Sequence, residues 1–153
     1  MFTHPRSRKW KASLIELDSD SSGWIRYFRD PETNQEWAEY YPYDDDRSPS
    51  FMRHRELPDD LEELLHTCLT SKHKDEWIGV AAYVSNAFKT TEIANILEKI
   101  APNIPQRRLK VFGKYYHAYD NRNVVGMYYT EVENSYQKHL DAIQKINSIT
   151  QIG

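Results

Sequence analysis

The sequence predicts an α+β domain: a small antiparallel β-sheet in its N-terminal third, followed by a bundle of four or five helices. Three observations carry that expectation. Up to about position 57, aromatic and strand-tolerant residues form short runs separated by turn residues. After "LPDD" the apolar period changes from two to about 3.6. The length, 153 residues with 39% hydrophobic and 28% charged side chains, suits a single globular domain spanning 1–153. Fraying is expected only at 1–9 and 149–153.

Taken in order, Trp10 to Leu17 alternates loosely and is expected to form one strand. Trp24–Phe28 and Glu36–Tyr41 flank "DPETNQ", where Pro31 presets φ for a type I turn and Asn34 can take the left-handed position. That pattern specifies a β-hairpin. Trp24, Arg26 and Phe28 then point to one face and Ile25, Tyr27 and Arg29 to the other, and Trp24 and Trp37 are assigned to core packing. "FMRHREL", from Phe51, supplies a fourth strand.

The helices follow. Asp59 with Glu62 three residues later reads as a capping signature for a helix carrying Leu61, Leu64, Leu65 and Cys68. Lys74 to Phe88 places Trp77, Ile78, Ala81, Ala82 and Val84 on a broad apolar face. A third helix, capped at Thr90/Thr91, carries Ile93, Ile96, Leu97 and Ile100 and is stopped by "APNIP". Beyond Pro105, Leu109, Phe112, Tyr116 and Tyr119 recur at helical spacing, although Gly113 costs about 1 kcal/mol in a helix and "LKVFGKYY" is also readable as a strand. "NRNVVGM" is a loop. Thr130 with Glu133 then opens a long helix with a stripe of Val132, Tyr136, Leu140 and Ile143.

No run of about 7 to 15 apolar residues suggests a secretory signal, and no window approaches the ~18 residues of a spanning helix. The lone Cys68 cannot make an intramolecular disulfide, so the cytoplasm is the expected location and no membrane is expected as partner. Charge is unevenly placed. From Ala12 to Glu63, fifteen acidic side chains stand against five arginines and no lysine, a local charge of −10; from Leu64 to Gly153, eight acids stand against eleven bases, or +3. A one-signed surface steers an oppositely charged partner without determining the fold.

Motifs for chemistry are lacking. His66, Cys68 and His73 are close in sequence, but i and i+2 positions of a helix face apart, and neither HExxH-like nor CxxC-like spacing is present. There is no GxGxxG, P-loop or nucleophile elbow. The carboxylates of "DDD" lack the alternating oxygens and Gly of a calcium loop, and those of "PDDLEE" are explained by the favourable interaction of negative charge with a helix N-terminus. The chain is therefore expected to have no catalytic residue, no metal and no cofactor. One alternative role, a regulatory nucleic-acid-binding domain, rests on segment 105–122, where Arg107, Arg108, Lys110 and Lys114 are interleaved with Tyr115, Tyr116 and Tyr119.

Ser22, Gly23, Trp24, Arg29, Asp30, Pro31, Trp37, Tyr41 and Pro42 form the pattern SGW, aromatic strand, RDP, turn, Trp, YP. This pattern resembles that of a family of immunity proteins from bacterial polymorphic-toxin and contact-dependent growth inhibition systems. The resemblance is confined to this hairpin. Where the family often continues with a glycine-rich "GGGPP" stretch, this chain has "DDDRSPS". The resemblance implies a non-enzymatic protein that binds a cognate toxin domain tightly, and a nuclease is the expected toxin. An inhibitor of a basic nuclease cleft can present carboxylates where phosphates would sit, with aromatic anchors retaining the complex. The contact candidates are Tyr41, Tyr43, Asp44, Asp45, Asp46, Glu56, Asp59, Asp60 and Glu63.

Overall fold

A computed structural model describes residues 2–3, 8–41 and 50–151. The order is β1 (Phe2–Thr3), α1 (Arg8–Ser13), β2 (Ile15–Ser19), β3 (Arg26–Arg29), β4 (Glu36–Tyr40), β5 (Phe51–His54), α2 (Leu61–Thr70), α3 (Lys74–Ala87), α4 (Thr90–Ile100), α5 (Gln106–Tyr115) and α6 (Tyr129–Thr150). The strands form one antiparallel sheet in the order β1-β5-β4-β3-β2, so the expected α+β arrangement is present.

The β3–β4 hairpin forms as its turn residues dictate. Asn34 adopts φ 58°, and its N–H donates to the Asp30 carbonyl at 2.8 Å. The Asp30 carboxylate accepts from the Glu32 N–H at 2.9 Å and from Trp10 Nε1 at 3.1 Å. These donors, the Glu32 amide foremost, hold its pKa below the usual carboxylate range.

The expected first strand, Trp10 to Leu17, is split. Arg8–Ser13 is helical and only Ile15–Ser19 pairs with β3. Trp10 and Leu14 are four residues apart, a helical spacing, and both pack on Phe28, Trp37 and Met52. Burying that apolar pair over the sheet outweighs the weak alternation. The Trp10 ring meets Trp37 edge-on, with centroids 4.9 Å apart.

Each strand sends alternate side chains to two covered faces. Phe28, Trp37 and Met52 lie under α1; Phe51 packs with Ile78 and Ala82 of α3 on the other side. The Tyr40 hydroxyl donates to the Gly79 carbonyl at 3.0 Å, fixing α3 on the sheet. The main core lies among the helices, where Leu64, Leu65, Cys68, Val84, Ile93, Leu97, Leu109, Phe112 and Ile146 are almost completely buried. Removal of such side chains from water contributes roughly 1.5–3 kcal/mol each.

Several expected boundaries shift. Asp60, not Asp59, caps α2, accepting from the Glu63 N–H at 2.9 Å. At α6 the reciprocal acidic residue is Glu131, which accepts from the Tyr128 N–H at 2.7 Å, so the helix starts ahead of the expected Thr130/Glu133 pair. Its buried positions are His139, Ala142, Ile146 and Thr150, whereas Tyr136 of the expected stripe is exposed. Tyr116 and Tyr119 follow α5 rather than extend it, with the Tyr116 ring stacked on Phe112. Among the described residues near the ends, Phe2–Thr3 pairs with β5, and α6 continues to a fully buried Thr150.

Candidate protein-binding surface

The turn before β3 aims one large aromatic outward. Gly23 takes φ +73°, a conformation that L side chains rarely adopt. The Asp20 carboxylate accepts from the Ser22 hydroxyl and from the Ile25 N–H, which lies 3.1 Å away. Those bonds, the hydroxyl's first, lower the Asp20 pKa. The resulting clamp leaves Trp24 73% exposed, so its expected burial is wrong while that of Trp37, 4% exposed, is right. Trp24 belongs to the turn preceding β3, and strand alternation does not govern its direction.

Beside Trp24 lies a groove of about 260 Å³, walled by Ile25, Tyr40, Tyr41, Tyr83, Asn86 and Ala87. Tyr83, Asn86 and Ala87 come from α3, so the groove spans the seam between sheet and helices. Tyr41, 45% exposed, forms its lip and leads into segment 42–49. Four contact candidates, Tyr43, Asp44, Asp45 and Asp46, lie outside the described residues. The other four acids fall elsewhere: Glu56, Asp59, Asp60 and Glu63 are exposed around the start of α2, where Asp60 and Glu63 line a separate depression with Pro58, Glu62, His66 and Thr67.

Most described acids of the first third are internally engaged. Glu39 is fully buried and accepts from Lys11, from Ser50 Oγ at 2.6 Å and from Arg26 at 3.5 Å. Glu36 bridges Arg29 and Arg55 at 2.9 and 2.6 Å, and the Arg29 bond leads the lowering of its pKa. Glu16 pairs with Arg26 at 2.7 Å, Asp59 with Arg53 at 3.0 Å and Glu62 with Lys99 at 2.6 Å. Among the described residues, the carboxylates of Asp18, Glu32, Glu56 and Glu63 make no hydrogen bond or ion pair. The sequence count of fifteen acids thus overstates the unpaired negative charge outside 42–49.

The basic segment is similarly committed. Arg108 donates to the Leu69 carbonyl at 2.9 Å and lies over the Trp77 ring, its guanidinium 5.2 Å from the centroid. Tyr115 and Tyr116 pack on the core, and Tyr119 is half-buried. Arg107, Lys110 and Lys114 remain as exposed cations, but the aromatic rings that would stack on bases are largely packed.

Cys68 faces the core, where burial pushes its thiol up to about 12, while His66 and His73 are exposed. No group of three or more His, Cys, Asp or Glu among the described residues could hold a metal ion. No described helix is long and apolar enough to cross a membrane. Comparisons with protein-family models, with curated proteins and with solved structures found no match for this chain.

Proposed function

We propose that this chain is a cytoplasmic immunity protein that neutralises a cognate bacterial toxin domain, a nuclease, by direct binding. The observation that carries the reading is the exposed Trp24 beside an aromatic groove whose lip, Tyr41, leads into the carboxylates of Asp44, Asp45 and Asp46. A tryptophan held outward by a hydrogen-bonded turn loses little conformational freedom when a partner covers it, so more of its apolar burial is retained as affinity. Tryptophan and tyrosine are also the side chains that most often dominate binding energy in protein interfaces. The SGW…RDP…W…YP resemblance supports the same role, since Trp24 and Tyr41 both belong to that pattern. Neutralisation requires no chemistry of the inhibitor itself: steric cover of the toxin's active site, or of its substrate path, suffices.

The test is co-expression with the toxin domain encoded beside this chain, followed by calorimetry of the purified pair. Trp24→Ala should preserve the thermal midpoint and weaken binding by about 2 kcal/mol, or about thirtyfold in Kd. A neighbouring toxin domain that fails to bind the parent chain removes the proposal. An unchanged Kd in the variant removes Trp24 from the interface.

A further inference from the structure

Two side-chain rows run along α6. The inward row is His139, Ala142, Ile146 and Thr150, on the helix against which α4 and α5 pack. The second row is apolar: Tyr129, Val132, Tyr136, Leu140 and Ile143, with successive gaps of 3, 4, 4 and 3 residues. At 3.6 residues per turn its centre lies about 80° around the helix from the inward row. Tyr129 and Tyr136 are exposed, Val132, Leu140 and Ile143 are half-buried, and among the described residues none of the five joins a buried apolar cluster. We propose that this row is a dimer interface, on which a second copy of the chain lays its own α6 antiparallel about a two-fold axis at Tyr136.

The gaps average 3.5 residues, the spacing at which one helix keeps a continuous seam against another. They also read the same in both directions. Rotation about Tyr136 sets Tyr129 opposite Ile143 and Val132 opposite Leu140, so each apolar position meets another and the surface is complementary to itself, as a two-fold interface requires. Antiparallel packing also opposes the two helix dipoles. Glu133, exposed at the edge of the row, then stands about 9 Å along the axis from its counterpart, whereas parallel pairing would set the two carboxylates level. That offset exceeds the Debye length of about 8 Å at physiological salt, so repulsion between them is screened.

The first half of α6 has little internal support. No side chain from Tyr129 to Lys138 is buried, and a helical stretch without a packed face is only marginally stable in water. Tyr128, Tyr129 and Tyr136 are 80%, 76% and 49% exposed. At about 200 Å² for an aromatic side chain, these three leave roughly 400 Å² in water on each copy. Two copies thus offer roughly 800 Å² from tyrosine alone, and the exposed parts of Val132, Leu140 and Ile143 bring the total to roughly the 1,000 Å² of a small specific interface. Arg122 braces the centre of the row: its guanidinium lies 5.1 Å from the Tyr136 ring centroid, and Nη1 donates to the Val132 carbonyl at 3.3 Å. A ring held in this way loses less freedom when a partner covers it.

The experiment is sedimentation velocity of the full chain over a concentration series, joined to cysteine cross-linking. A concentration-dependent dimer is expected, with a Kd in the micromolar range that suits a small interface. Tyr129→Glu with Tyr136→Glu should weaken dimerisation about a hundredfold or more, and an unaltered melting curve checks that the double variant folds. Trp24→Ala should leave the dimer unchanged, which separates this interface from the groove beside Trp24. Under mild oxidation Tyr136→Cys should form a disulfide-linked dimer, since a two-fold at that position brings the two β-carbons together. Asn134→Cys, on the far side of the helix, should not, and the native Cys68 is buried. The proposal is overturned by a chain that stays monomeric throughout the series, by a dimer that survives the double glutamate variant or is lost in Trp24→Ala, or by equal cross-linking at positions 134 and 136. A monomeric chain that binds the proposed toxin partner and loses that binding in the double glutamate variant also overturns it, giving the row to that partner.

Discussion

His54 closes β5 with its ring edge-on to Trp37, centroids 5.0 Å apart, and its Nδ1 accepts from the Glu56 N–H at 3.3 Å. Nε2 is buried without a partner, as is Trp37 Nε1. Burial disfavours the charged imidazolium and leads the lowering of the His54 pKa from its ordinary value of about 6.5. The consequence for stability has a definite sign. Well above pH ~6.5 both folded and unfolded chains carry a neutral imidazole; as pH falls through that value, the unfolded chain takes up a proton that the folded chain refuses. Stability therefore falls on acidification, and this contribution levels off once pH passes the lowered folded-state value. Thermal midpoints measured from pH 8 to 5 should decline less steeply in His54→Gln than in the parent. Parallel curves for the two proteins would assign the acid sensitivity to other groups.

At the scale of elements, the cap of α2 tests how one carboxylate differs from its neighbour. Asp60 accepts a first-turn amide, so Asp60→Ala should cost about 1 kcal/mol in chemical denaturation. The Asp59 side chain is 94% exposed and its partner Arg53 also donates to the Leu57 and Pro58 carbonyls. Asp59→Ala should thus cost less, within the ~0–1 kcal/mol of a surface ion pair. A larger loss at Asp59 would make Arg53 anchorage, rather than capping, the dominant function of this corner. The same comparison shows what the sequence makes legible. Hairpin chemistry in "DPETNQ" and the period of Leu61, Leu64, Leu65 and Cys68 act locally, and both elements form where those patterns place them. The inward face of α6 was not legible: the neighbouring α4 and α5 determine it, and His139 and Thr150 are not marked by hydrophobicity. Trp24 was missed for another reason, since a tryptophan is ordinarily read as core and only the turn formed by Asp20, Ser22 and Gly23 turns it outward.

Across the whole molecule, the sheet is gripped between α1 and α3 while the larger core lies among the helices, and this arrangement bears on any association. The proposed interface sits on the seam between those parts, with rigid walls from α3 and an acidic segment beyond Tyr41. Charge and aromatic contact should then act on different rate constants. Long-range attraction accelerates encounter and is screened by salt, whereas buried aromatic area mainly slows dissociation. Because the acids of the described sheet are largely paired with arginine or lysine, Asp44, Asp45 and Asp46 provide the concentrated charge closest in sequence to the groove. Replacing all three by Ala should slow association with the proposed toxin partner by about tenfold at low ionic strength and flatten its dependence on salt, leaving dissociation nearly unchanged. Trp24→Ala should produce the reverse pattern, with faster dissociation and an unaltered salt slope. Stopped-flow association across a salt series separates the two contributions. An association rate unaffected by the triple substitution would move the steering surface to Glu56, Asp60 and Glu63 around α2, where the same measurement on their Ala variants locates it.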